Sequence, residues 1–551
     1  MRKDRRMIMA ALIAMGAAAF SLTGCSGAKG SREAAGEKAQ TQVETAGREE
    51  ASSDEQATET AGERDETADS NSEKKESAQE APQVIIETRE EKRLAEDGTT
   101  VLVNGTFDRV SISGTGYEKV AQAVSQWSKE AEDAFVLSLD DYAAMAKEDA
   151  LTRGSDFDFY GYSAGRQMEI ARADNRAVSF KYLVSDYTGG AHGNYGYFGE
   201  TFDAQDGRRL LLGDLVENEK EFKQKALEFC LKELGERKEE TGLFDDYQQT
   251  LRQSWEDGTD PVWYLDAAGI TLVFNPYEIG PYAAGVIYVT LPYSEFSQEI
   301  KEQYQEMGDI GVGAVPVNVN VPLTFGDGQS EPRTLRLSMK SKGENYAERD
   351  LYLEIGGKEE KAETFERLGH AYLIRKGDDR TYLIFDGDYA SDDFVTFVYD
   401  VTGDAAQRTD QSDMGISISP SDVNTETLKL NMVINVLGTY RAAADYHIDS
   451  QGKLVNDSEV YNVNANRWST NSLTVKRELP VIVGGEKTAI EPGAQITITG
   501  TDNESIVYFR ASDSGLDGEI HFTRGQGDNS WQIYIDGVED NQYFDNLPYA
   551  G

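Results

Sequence analysis

The sequence predicts an α+β fold, an antiparallel sheet with packed helices, that gives way to an all-β region. Three observations predict it. Apolar and polar residues alternate through 157–173, 177–187 and 195–204. Apolar residues at helical spacing flank that meander: Tyr117, Val120, Ala121, Val124, Trp127 and Ala131 on one side, Phe222, Ala226, Phe229, Cys230 and Leu234 on the other. Beyond Gly308 helical spacing nearly vanishes and short strand-like runs succeed one another.

At the start, a basic segment (Arg2, Lys3, Arg5, Arg6) precedes an apolar run, 7–20, and the motif Leu22-Thr-Gly-Cys25. The run is too short to be a comfortable membrane span. This arrangement resembles a bacterial lipoprotein signal, which implies that Cys25 takes a lipid and becomes the mature N-terminus, anchoring the chain to the outer face of a membrane. Residues 26–82 are rich in Ala, Glu, Ser, Thr, Gln and Lys. They carry too little apolar surface to offset the entropy of ordering and read as a disordered tether.

A first domain is expected over 83–308. Short runs around Val84, Val101 and Val110 predict strands, and the Tyr117 stripe predicts a helix that continues past Tyr142 and Met145. The meander follows, closed by the turn Asp206-Gly207. Helices over 220–234 and about 244–255 lead to strands at 262–265, 270–274 and 286–291, then a closing helix from Tyr293. An all-β domain is expected over 309–479, and a small barrel of SH3-like type over 480–551.

The formal net charge is -44, most of it beyond residue 82. Such a field repels nucleic acid and anionic lipid and hastens encounter with cations. Two cysteines cannot make a disulfide framework, so cores must hold the fold. Cys230, on the inner face of a helix, reads as a buried, inert thiol.

Two loops stand apart from the scaffold. The stretch 181–212 flanks a glycine-rich loop containing Tyr187, His192, Asn194 and Tyr195, and the stretch 275–285 sets Tyr277, Pro281 and Tyr282 among prolines and glycines. Aromatics on a stiff loop offer contact area at small entropic cost. These seven residues are the candidate partner-binding set, with His192 read as a brace for its loop rather than a reagent.

Tyr187-Thr-Gly-Gly-Ala-His192, Thr201-Phe-Asp203 with Asp206-Gly207, Leu211-Leu-Gly-Asp214, Trp263-Tyr-Leu265, Phe274-Asn-Pro-Tyr277 and Pro281-Tyr-Ala-Ala-Gly285 occur in order over roughly 84–306. Together they resemble the extracytoplasmic domain shared by the anti-sigma factor RsiV and the non-catalytic region of PdaC-type peptidoglycan deacetylases. The resemblance implies that the domain binds lysozyme. Only six residues precede the apolar run, and no deacetylase domain is recognised, so binding without signalling or catalysis is the expectation. A peptidoglycan- or glycan-binding envelope protein is the alternative, and a carbohydrate-active enzyme comes third.

Catalytic and metal chemistry find little support. Thr201-Phe-Asp203 is similar to the Thr-Phe-Asp-Asp start of carbohydrate deacetylases, yet Ala204 replaces the second acid. His192, His370, His447 and His521 lie far apart, and no nucleophile elbow, Walker loop or dinucleotide fingerprint occurs. Asp386-Gly-Asp388 with Asp392-Asp393, and Asp502-Asn-Glu504, lack the spacing of a calcium loop and read as turns. No catalytic residue, metal or cofactor is expected.

Overall fold

The computed structural model of the chain describes residues 80–153, 161–323, 333–342, 348–377, 380–390, 393–416, 423–464, 472–545 and 547–549. Cys25, the leader and all but the last three residues of the expected tether lie outside them. The structure is mostly β, built of several antiparallel sheets with few helices.

A long hairpin, β1 (Gln83–Leu94) and β2 (Val101–Ser113), is followed by α1 (Glu118–Arg153) and then β3 (Tyr162–Asp174), β4 (Ala177–Tyr187) and β5 (Asn194–Asp203). Helix α1 buries Val120, Val124 and Trp127, as the spacing requires, then Phe135, Leu139, Tyr142 and Ala146. Met145 falls off this line and is exposed. Trp127 stacks on Phe180 of β4 at 5.7 Å, which fixes the helix to the meander.

Next come α2 (Glu219–Glu236), α3 (Tyr247–Glu256) and a three-stranded sheet of β6 (Val262–Leu265), β7 (Gly269–Phe274) and β8 (Ile287–Pro292). Asn218 caps α2 by accepting from the Lys220 and Glu221 amides. Phe222, Ala226, Cys230 and Leu234 then pack on Leu265, Ile270, Leu272 and Val289. Burial pushes the Cys230 thiol up to about 12, so it stays protonated. The helix expected from Tyr293 is instead a run of turns: the helix-like spacing of Tyr293, Phe296 and Ile300 arises because all three are buried, without a continuous helix. Among the described residues no helix is long and apolar enough to cross a membrane.

Part of the downstream chain joins the sheet of β1–β5. β9 (Ile310–Ala314) leads through a four-stranded sheet, β10 (Asn320–Leu323), β11 (Arg333–Ser341), β12 (Arg349–Ile355) and β13 (Lys358–Phe365), into β14 (Arg367–Lys376), β15 (Thr381–Asp388), β16 (Phe394–Asp400) and β17 (Gln407–Ser412). Strand β3 is the branch point. One edge pairs with β4; the other runs parallel to β2 over its first residues and antiparallel to β9 over its last. β9 then pairs with β14. The boundary expected at 308/309 thus falls inside one ten-stranded sheet.

Strands β14–β16 are covered on both faces. Leu373, Leu383, Phe385 and Phe397 meet the β10–β13 sheet, while Tyr372, Ile374, Ile384 and Val398 meet Leu428, Leu430 and Ala444 of the next sheet. That explains the unbroken apolar run Tyr382-Leu-Ile-Phe385, where alternation would mark one wet face. The expected separate small barrel over 480–551 is not formed: strands up to Asp517–His521 instead extend a ten-stranded sheet that begins at Leu428 and follows an open path among the described strands, and Thr523–Arg524, Ile533–Ile535 and Val538–Glu539 make a separate three-stranded sheet. The short alternating strands that suggest a barrel are the same ones an open sheet needs, so spacing alone does not separate the two.

Candidate functional site

The two candidate loops, far apart in sequence, are neighbours in space. Residues 188–193 join β4 to β5 and residues 275–286 join β7 to β8. The His192 ring stacks on Tyr282 at 4.0 Å, and the Tyr282 hydroxyl donates to the Gly193 carbonyl at 3.0 Å. Tyr195 meets Tyr282 edge-on at 5.5 Å, and Tyr277 lies 5.9 Å from it. His192 Nδ1 is 2.8 Å from the Gly193 carbonyl oxygen, which can only accept, so Nδ1 carries the proton. The ring is held on both counts. Pro281 starts the single 3₁₀ turn that presents Tyr282.

The rest of the set rims this centre. Tyr187 donates to the Gly190 carbonyl at 3.1 Å and remains 41 % exposed. Asn194 donates its amide to Asp186 at 3.0 Å, tying the two strand ends. Burial and the nearby Tyr282 push the Tyr195 phenol upward, so it stays neutral and able to donate. Tyr277 is 51 % exposed with φ at 74°, a left-handed backbone that a bulky side chain rarely adopts. A bond from its N–H to the Gly280 carbonyl at 2.9 Å closes the turn that holds it so.

Asn275, which lies outside the candidate set, ties the β7–β8 loop to β5. Its side-chain oxygen accepts from the Tyr197 N–H at 2.7 Å and its amide donates to the Tyr197 carbonyl at 3.0 Å. The side chain stands where the next strand would pair with β5. Nearby, a Cβ on Gly199 would collide with the Trp263 carbonyl, so the close approach of β6 to β5 requires glycine there.

From this rim a polar and aromatic seam continues into a cleft of about 540 Å³. Tyr197 meets Tyr288 at 6.3 Å, and Lys181 Nζ lies 5.1 Å and 5.8 Å from their ring centres. Lys181 also pairs with Glu169 at 2.6 Å, and Glu169 with His370 at 3.0 Å. Burial alone would push the Glu169 carboxyl up; Lys181 and His370 outweigh it and hold its pKa down at about 2. None of Glu169, Lys181, Arg237, Tyr288 or His370 belongs to the candidate set. Glu169 and His370 are 201 residues apart, and each reads locally as the polar member of an alternating strand.

The remaining motifs resolve as turns and braces. Asp203 ends β5, accepting from the Gln205 and Asp206 amides and from the Tyr304 hydroxyl. Asp386 accepts from the His370 and Ile416 amides, and Asp502 from three successive amides. Asp392 lies outside the described residues. His447 and His521 face Asp457 and Glu519, so the four histidines sit on separate partners.

Comparison with known proteins adds a family. Residues 213–294, from the turn before α2 to just past β8, match the family model for DUF3298, described as a protein of unknown function. Two solved structures of DUF3298 family members resemble the chain. One, from Bacteroides fragilis, is 20 % identical and covers 41 % of this chain and 96 % of its own at a TM-score of 0.32. The other, from Pseudomonas aeruginosa, is 17 % identical and covers 41 % and 97 % at a TM-score of 0.27. A comparison with curated proteins finds no match. Helix α2 and the three-stranded sheet that seats Asn275 and Tyr282 therefore lie within a DUF3298 domain at residues 213–294.

Proposed function

We propose that the protein acts by binding rather than catalysis. Its partner is a cationic cell-wall hydrolase of lysozyme type, captured by the rim of Tyr187, His192, Asn194, Tyr195, Tyr277, Pro281 and Tyr282. The observation that carries this reading is Tyr277, a half-exposed aromatic held in a left-handed turn by its bond to the Gly280 carbonyl. Exposed rings on braced loops are what a protein interface uses as anchors. The acidic charge of the chain supports a basic partner by steering encounter. The RsiV-like motifs support the lysozyme class, and the lipobox-like Cys25 supports an extracytoplasmic, lipid-anchored protein in the cell envelope.

Isothermal titration of the purified protein with hen lysozyme tests the proposal. Heat of binding is expected at low ionic strength, with affinity falling as salt is raised. Absence of heat at low salt overturns it. Retention on purified peptidoglycan without any added protein would favour the glycan-binding alternative instead.

A further inference from the structure

The cleft beside the rim differs from it in chemistry and in the residues that build it. Its floor is Glu169 of β3 and Lys181 of β4; one wall is the end of α2 and strand β8; the other is the segment after β9 and the start of β14. A volume of about 540 Å³ is that of a small-molecule pocket. It lies where the DUF3298 segment meets strands outside the matched residues, so neither part forms it alone.

The charges of the lining are unequally satisfied. On the floor two bases share one acid, Lys181 and His370 on Glu169. Two other acids line the cleft: Asp266, whose oxygens are taken by the Ala268 and Gly269 amides and the Thr271 hydroxyl, and Glu233, which lies 3.7 Å from Lys232. Arg237, at the end of α2, donates Nη2 to the Tyr288 carbonyl at 2.9 Å. Among the described residues it has no carboxylate partner within ion-pair distance, and its Nε is buried without a hydrogen bond. A guanidinium so placed retains donors for an anion, in a chain with an acidic excess of 44 charges. Tyr288, whose ring lies by Lys181 and Tyr197, supplies an aromatic face in the same lining.

We infer that this cleft binds a small carboxylate-bearing ligand, its carboxylate on Arg237 and its body against Tyr288 above the Glu169–Lys181–His370 floor. The inference does not depend on hydrolase capture at the rim. Two sources share the chemistry, the free C-terminus of a short peptide and an acidic sugar. Titrations monitored by protein NMR separate them: acetyl-alanyl-alanine against its C-terminal amide, and N-acetylmuramic acid against N-acetylglucosamine. At least one charged probe is expected to bind while its neutral counterpart does not. Arg237→Gln, which retains hydrogen-bond donors near the Tyr288 carbonyl, is expected to weaken that probe about tenfold or more. His370→Gln, which leaves Arg237 in place, is expected to keep the preference for the charged probe. Equal binding of charged and neutral probes, no binding of either acid up to millimolar concentration, or unchanged affinity in a folded Arg237→Gln protein overturns the inference. Lysozyme titration of the same variant reports on the rim separately.

Discussion

Glu169 shows how much one position decides and how little of that is visible locally. In sequence it is an ordinary polar residue in an alternating strand; in space it is the acid that Lys181 and His370 share. Its folded pKa of about 2 lies below the ordinary carboxylate value. A depressed pKa gives stability that is fully present above the unfolded value and is lost as pH falls through the folded one. Glu169→Gln is therefore expected to lower stability at neutral pH by on the order of 1–2 kcal/mol. The gap should close as pH approaches 2, which denaturant melts across the acid range would read. A gap that persists unchanged at low pH would place the effect in packing instead. Buried Arg172 makes the complementary point: its bonds to Asp174, the Tyr293 hydroxyl and the Glu306 carbonyl bind the β3–β4 turn to residues more than a hundred positions away.

At the scale of elements, periodicity was informative wherever an element has one wet face. The α1 and α2 stripes and the β3–β5 meander follow from spacing, with ends shifted by a few residues, whereas β7, buried along its length, was readable only as a short apolar run between turns. Three features were not legible. The strand at 381–385 was read as one, but that β15 is covered on both faces was not, because the covering sheets come from remote residues. The turns after Tyr293 mimic a helix because their buried side chains keep helical spacing. The asparagine clamps depend on partners remote in sequence. Asn275 on Tyr197 recurs as Asn424 on Val84, with bonds of 2.7 Å and 2.8 Å to that residue's N–H and carbonyl. Each protects a strand edge that would otherwise offer unpaired backbone groups. Asn275→Ala removes both bonds to Tyr197 and is expected to cost about 1–3 kcal/mol. Hydrogen exchange should locate the loss at the Tyr197 amide, and unaltered protection there would contradict the clamp.

Across the whole molecule, the candidate loops were readable because glycine, proline and exposed aromatics cluster in them, whereas the cleft was not, since its walls come from chain segments on either side of residue 308. The shared sheet has a consequence for dissection. A fragment ending at 308 loses β9, β14 and the His370 partner of Glu169, and is expected to unfold at lower denaturant and less cooperatively than the intact chain. Equal midpoints for the two would show that the first region is self-sufficient.

The proposal of partner capture at the rim stands or falls most directly on Tyr277. Glycine accepts a φ of 74° without strain, so Tyr277→Gly should leave the unfolding midpoint unchanged or raise it. The same substitution removes the exposed ring. Titrated with lysozyme at low salt, the variant is predicted to lose about tenfold or more in affinity relative to the parent protein while remaining at least as stable. A stable variant that binds lysozyme as tightly as the parent would contradict the account.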